Sequence, residues 1–292
     1  MNRHFCAAVV VVVLALSSPA LADWDGKGGR SSYPEEKANR PVTLGNGMVR
    51  VGGEIGIGFL KGREGEDMTM SLDLAYGVTG QLELGLGLDF LNRYAGTDSP
   101  EFGGWDVYLL YAPIKQVGLR IALYMPGTRA WYGNMASFPG VSPYTDFDHV
   151  ENNKVGLEFS VPLRVVVWQN HLNLHGSIGW QMGFVHYDNM EIVGIKYPQG
   201  ALCLSYGLTY NPMTLLWLDV TAETFMVVLG FPDISFHDRT QVPFSLTGGV
   251  TLLKGKLDLY ASFRFANLNI PDGSSADPGD IFAIMLGASG QF

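Results

Sequence analysis

Cysteine, long apolar runs and charge are all scarce in this chain, and each shortage removes a class of protein. Of its two cysteines, Cys6 falls in a short apolar leader, which leaves Cys203 alone in the body of the chain. A single cysteine closes no internal disulfide, and zinc, iron-sulfur and CxxC redox sites lose their usual ligands. No cofactor or metal is expected. The longest uncharged stretches do not form a spanning helix: residues 197–218 are interrupted by Pro198, Gly200 and Asn211-Pro212, and a membrane helix needs roughly 20 consecutive apolar residues. Charged residues make up only 16%, whereas a soluble domain carries about 25%.

The leader has a tripartite form. Arg3 and His4 precede an apolar run from Phe5 to Leu16, and Ala20-Leu21-Ala22 supplies a small-residue cleavage pattern. The run is too short to span a bilayer, so residues 1–22 read as a signal peptide removed after Ala22. Its removal takes Arg3 and no acid, leaving 18 basic against 28 acidic residues, a net charge of −10. That balance argues against a nucleic-acid partner.

What is abundant points elsewhere. The chain holds 37 Gly, 16 Phe, 13 Tyr and 6 Trp, with a mean hydropathy of +0.13. A chain too apolar for water, yet without a spanning helix, fits the other structure a bilayer permits: a closed barrel whose backbone groups pair between strands.

Alternation of period two carries the fold. In Leu82-Glu83-Leu84-Gly85-Leu86-Gly87-Leu88-Asp89-Phe90 it runs without exception, and Leu257 to Phe265 repeats it with Asp258, Ser262 and Arg264 on the polar face. The same reading recurs in Val49 to Phe59, Met68 to Tyr76, Trp105 to Tyr111, Leu119 to Met125, Val155 to Val165 and Leu172 to Met182. It continues in Leu202 to Tyr210, Leu216 to Ala222, Val242 to Leu252 and Phe282 to Phe292. These twelve segments have about the 9 to 11 residues of a tilted membrane strand. The expected fold is all-β: a transmembrane antiparallel up-and-down barrel of about 12 strands.

Connections support it independently. Short ones at 77–80, 113–116, 167–170, 211–213 and 253–256 alternate strictly with longer ones, the pattern of periplasmic turns and outer loops. Both termini are thereby expected in the periplasm. Residues 47–292 form the barrel, and the polar, aperiodic residues 23–46 form either a periplasmic tail or a plug folded into the lumen. Phe292 ends an alternating strand with Phe282, Ile284, Leu286, Ala288 and Gly290 on its face. It resembles the terminal phenylalanine signature that outer-membrane proteins present to the barrel-assembly machinery. Phe59, Phe90, Trp105, Tyr111, Trp131, Tyr210 and Phe265 stand near strand ends as candidate interfacial girdles.

Two stretches carry a family resemblance: Arg40-Pro41-Val42-Thr43-Leu44-Gly45-Asn46-Gly47, and the hairpin from Ala75 through Gly77-Val78-Thr79-Gly80 to Leu88. Together they resemble a broad family of outer-membrane barrels labelled as transporters or as proteins of a meta-cleavage pathway of phenol degradation. The turn Gly77 to Gly80 departs from that family's more usual acidic or Asn-containing turn. The resemblance implies uptake of small, aromatic or hydrophobic solutes and supplies no binding residues.

If the alternation holds, the interior displays Arg50, Glu54, Asp73, Glu83, Asp89, Asp106, Arg120, Lys154, Glu158, Arg164, Asp219, Glu223, Asp258 and Arg264. Nine of these fourteen are acidic. Buried charges must be paired or hydrated, so they form either a cross-lumen salt-bridge network that stiffens the wall or a wet pore that favours cations. His171, His175 and Ser177 join the same face. Inward glycines, including Gly52, Gly56, Gly58, Gly85, Gly87 and Gly179, read mainly as points of strand curvature. The loop from Trp131 to Phe147 has the composition of a cap or an ordinary surface loop, and Asp272, Asp277 and Asp280 lack a calcium-loop spacing.

Three functions follow in order. The first is a channel in the bacterial outer membrane for passive uptake of small solutes through a narrow, acid-rich lumen. The second is a structural or interaction barrel with a closed interior. The third is a lipase using His175 and Ser177, which share a strand face, although outer-membrane lipases place such a pair toward lipid while here it points inward. No enzymatic activity is expected. Expected partners are outer-membrane lipid and lipopolysaccharide, the assembly machinery and a small solute, with the barrel a monomer.

Overall fold

Strict alternation makes a wall with two chemistries, because successive side chains of a strand leave on opposite faces. The computed structural model describes residues 33–60, 67–93, 104–125, 155–184, 199–229, 240–265, 268 and 281–292. Its strands are β1 (Val49–Leu60), β2 (Asp67–Thr79), β3 (Leu82–Arg93), β4 (Gly104–Ile114), β5 (Val117–Met125), β6 (Val155–Trp168) and β7 (Leu172–Phe184). They continue as β8 (Gln199–Met213), β9 (Leu216–Leu229), β10 (Thr240–Gln241), β11 (Phe244–Leu252), β12 (Leu257–Phe265) and β13 (Ile281–Gln291). The two-residue β10 only flanks β9 at Phe225 and Met226. The other twelve form the wall, one for each alternating segment read from the sequence.

Every neighbouring pair is antiparallel. β1 bonds to both β2 and β13, and β8 bonds to β9, so the sheet closes and leaves no edge. Strands run further than the alternation suggested, and the turns are correspondingly tighter: Gly77 to Thr79 belong to β2, and Asn211 to Met213 to β8. The prolines there are accommodated by irregular register. Pro113 lies between the pairs Tyr111↔Leu119 and Ile114↔Val117, and Pro212 between Tyr210↔Leu218 and Met213↔Leu216. A residue without an N–H is tolerated where the ladder is interrupted. The β11–β12 turn passes through Leu253 and Lys254 at positive φ before Gly255 at φ 83°.

The outward face is apolar and the inward face polar. Ile55, Leu119, Ile178 and Leu286 are 48%, 53%, 48% and 62% exposed, while Glu83 and Asp258 opposite them in parity are 1% and 3% exposed. Such an inversion suits a hydrocarbon solvent around the cylinder. Aromatic side chains mark both ends of the outer surface. Tyr76, Tyr111 and Trp168 lie near the short turns, and at the far end Phe59 stacks on Phe282 at 5.0 Å with Phe263 5.3 Å from Phe282. The girdle residues Phe59, Trp105, Tyr111, Tyr210 and Phe265 are on the described wall; the Phe90 side chain and Trp131 lie outside the described residues, as do Lys154, the loop to Phe147, and Asp272, Asp277 and Asp280.

Several inward glycines also make room for large side chains. Gly85 faces Tyr108 across β3–β4, Gly249 faces Trp217 across β11–β9, Gly287 faces Tyr260 across β13–β12 and Gly56 faces Met285 across β1–β13. In each case the partner's side chain fills the place a Cβ would take, at 2.1 to 2.3 Å from its ideal position. The glycines are floors on which large side chains lie against the wall. Gly85→Val therefore forces the Tyr108 ring away and is expected to lower the unfolding free energy by about 1–3 kcal/mol. Gly248→Ala, whose Cβ meets only the terminal methyl of Leu218 at 3.4 Å, should change it by less than about 0.5 kcal/mol; urea titrations of both variants refolded in lipid vesicles test the contrast.

Candidate functional site: the barrel interior

Residues 33–46, left open by the sequence as tail or plug, lie against the inner wall at the short-turn end. A single 3-10 turn, Lys37–Asn39, brings Ala38 into full burial. Its N–H donates to Asn211 Oδ1 at 2.9 Å and its carbonyl accepts from Asn173 Nδ2 at 2.8 Å. Arg40 is 5% exposed and grips Asp258 with both terminal nitrogens, Nη2 standing 3.0 Å from Oδ1. Thr251 Oγ1 also donates to that carboxylate at 2.7 Å. The Arg40 carbonyl accepts from Arg164 Nη1 at 2.9 Å, and further along the Leu44 N–H donates to Glu83 Oε2 at 2.7 Å. Backbone groups join in: Val42 N–H bonds to the Lys115 carbonyl at 3.0 Å, and Phe292 and Val49 exchange two bonds of 2.8 Å where the segment enters β1.

Lys37 reaches a different surface. Its ammonium stands 3.3 Å from the Trp217 ring centroid and 5.8 Å from that of Tyr260, a cation-π arrangement. Enclosure by the wall pushes its pKa down to about 8 through desolvation, against the pull of Asp258 and Asp219. At neutral pH the charged form therefore still predominates. Desolvation by burial likewise pushes the Tyr33 phenol up, against the pull of Arg40, Arg50 and Arg164.

The wall's charges pair across neighbouring strands. Arg50 on β1 bonds to Asp73 on β2 at 3.1 Å, to Glu83 on β3 at 3.3 Å and to the Tyr108 hydroxyl on β4 at 2.9 Å. Arg120 bonds to Glu158 at 2.7 Å and lies 3.8 Å from Asp106, and Arg264 grips both oxygens of Glu54 at 2.9 and 3.1 Å. Asp219 accepts from Thr209 at 2.7 Å and Thr221 at 2.8 Å, and lies 3.0 Å from His175 Nε2. His171 Nδ1 lies 2.8 Å from the Asn211 carbonyl. Glu223 is half-buried on β9, and Asp89 sits on β3 opposite Ser71, its side chain outside the described residues.

His175 and Ser177 share the inward face, as their spacing required, but each is engaged elsewhere. Ser177 Oγ shares a 2.9 Å hydrogen bond with Ser205 Oγ, while His175 turns to Asp219. The residues that parity alone did not single out are Trp217, Tyr108 and Tyr260. Each faces a cross-strand glycine, a match set by the register between strands that parity within one strand does not reveal.

The described residues leave space beside the segment. Two cavities of about 380 and 430 Å³ both border Lys37, Glu54 and Tyr260. The first reaches Arg40, Arg164 and Asp258, and the second Trp217, Asp219 and Glu223.

Docking of the segment rests chiefly on Arg40. Arg40→Met removes the partner of a buried carboxylate, a loss of about 3 kcal/mol or more, and should shift the docking equilibrium by about 100-fold. A nitroxide at Glu36→Cys in a Cys203→Ala background would report this as a change from a mainly immobile to a mainly mobile spectrum.

No protein-family profile matches the chain, and no curated protein matches it in sequence. Solved structures do match in shape. An outer membrane channel from Pseudomonas putida F1 superposes with a TM-score of 0.53 at 12% identity, over 86% of this chain and 97% of that one. The KdgM porin in complex with disordered oligogalacturonate gives 0.48 at 7% identity over 83% and 99%, and the translocator domain of the autotransporter NalP from Neisseria meningitidis 0.47 at 10% over 86% and 90%. With its closed wall, apolar exterior and aromatic ends, the chain has the fold of the bacterial outer-membrane β-barrels and sits in that membrane.

Proposed function

We propose that the protein is an outer-membrane channel for passive uptake of small solutes, with a polar lumen constricted at its short-turn end by residues 33–46. The observation that carries this reading is a pair of polar cavities of about 380 and 430 Å³ that the described residues enclose inside a closed twelve-stranded wall. Twelve strands enclose more space than the eight-stranded barrels that side chains fill. Arg50, Glu54, Asp73, Glu83, Asp106, Arg120, Glu158, Arg164, Asp219, Glu223, Asp258 and Arg264 act as pore lining, with His171 and His175 among them. Because acids outnumber bases on that wall, cations pass in preference to anions. The aromatic solutes implied by the family resemblance would meet Trp217 and Tyr260, an interior aromatic surface that Lys37 now covers.

In this reading residues 1–22 are the export leader, the short turns face the periplasm, Phe292 engages the assembly machinery, and the monomer is the working unit. The paired charges also suit the second reading, a closed structural barrel, and the two differ in current. Single-channel recording of the refolded mature protein in a planar bilayer, under an asymmetric salt gradient, should show a small cation-preferring conductance. Deletion of residues 33–39 should raise it severalfold. A folded barrel that stays silent in both forms would overturn the channel reading in favour of the structural one.

A further inference from the structure

The two cations that the segment brings into the lumen land on acceptors to which the described wall residues offer no ion pair or cation-π partner of their own. Arg50 answers Asp73 and Glu83, Arg120 answers Glu158, and Arg264 answers Glu54. Asp258 has only neutral wall partners, Thr251 and Gln291, and its one ion pair among the described residues is with Arg40. The Trp217 and Tyr260 rings, 6.0 Å apart, are seated over Gly249 and Gly287, and the cation over their faces is Lys37, while the Tyr260 side chain also hydrogen-bonds Glu54.

We propose that Asp258, Trp217 and Tyr260 form a binding site on the lumen wall for small organic cations, which Lys37 and Arg40 occupy as built-in substitutes. This rests on the channel reading and names its solute class: compounds bearing a guanidinium, an ammonium or both. A planar guanidinium matches a carboxylate through two parallel hydrogen bonds, the geometry Arg40 already adopts. An alkyl ammonium matches an aromatic face, and Asp219 and Glu54 border the same space. Both cavities open onto Lys37, so a solute entering from the long-loop side reaches the substitutes before it reaches the constriction. Displacing them would free the site and loosen the segment in one event. An uncharged or anionic solute has no means of doing so.

The test uses 1-amino-4-guanidinobutane, which carries one cation of each kind, and N-butylurea as its uncharged counterpart. Calorimetric titrations compare the full mature protein with a Lys37→Met/Arg40→Met variant in detergent micelles, with folding verified by heat-dependent gel mobility. The double variant is expected to bind 1-amino-4-guanidinobutane at least tenfold more tightly than the parent, and Asp258→Asn added to it should remove that gain. N-butylurea should bind neither protein. A folded double variant that binds no more tightly than the parent, or binds N-butylurea equally well, would overturn the proposal. Should Asp258→Asn fail to fold, the nitroxide at Glu36→Cys decides: the cation must mobilise it and N-butylurea must not, and equal behaviour of the two sinks the idea. Binding in micelles needs no conduction. A barrel that binds but passes no current removes the channel reading alone, and one that conducts without binding removes only this site.

Discussion

The requirement that no backbone N–H or C=O be left unpaired in hydrocarbon governs this molecule. It is met by closure: β1 pairs with β13 from Arg50↔Gln291 to Leu60↔Ile281, joining the first and last strands of the wall. Once the cylinder is closed, the parity of every residue is decided, because a slip of one position would turn each strand inside out. The leucines and isoleucines of the exterior and the carboxylates of the interior are two sides of that single constraint.

Charge inside such a wall is tolerable only when it is paired or wet. The described interior uses both solutions. Near the short turns, pairs such as Arg40–Asp258 and Arg50–Glu83 are tightly enclosed, while Glu54, Asp219 and Glu223 border open space. The segment is therefore part of the electrostatic balance, since Arg40 answers Asp258, an acid for which the described wall residues supply no base.

The strands and their faces were legible in the sequence because alternation is local. Leu82 to Phe90 shows its parity without knowledge of any other strand, and all twelve segments became strands. The partners of the interior side chains were not legible, because they depend on register between strands. His175 and Ser177 were correctly placed on one face, yet their partners Asp219 and Ser205 come from β9 and β8. The match of Gly85 with Tyr108 or Gly249 with Trp217 likewise exists only across a strand pair. Arg40 finds Asp258 across 218 residues of chain, and no periodicity announces such a contact. Composition left residues 23–46 as tail or plug for the same reason: polar, aperiodic sequence does not say what it will touch.

The contacts of the segment have a mechanical consequence. A thin cylinder resists stretching of its wall but is soft toward ovalisation, in which one diameter shortens as another lengthens. Residues 38–44 are tied to Asn173 on β7, Glu83 on β3 and Asp258 on β12. Along the closed wall these strands stand four steps apart in each direction, so the ties act like three evenly spaced spokes on a hub. They remove the soft mode where they attach, and the barrel is accordingly held round at its short-turn mouth.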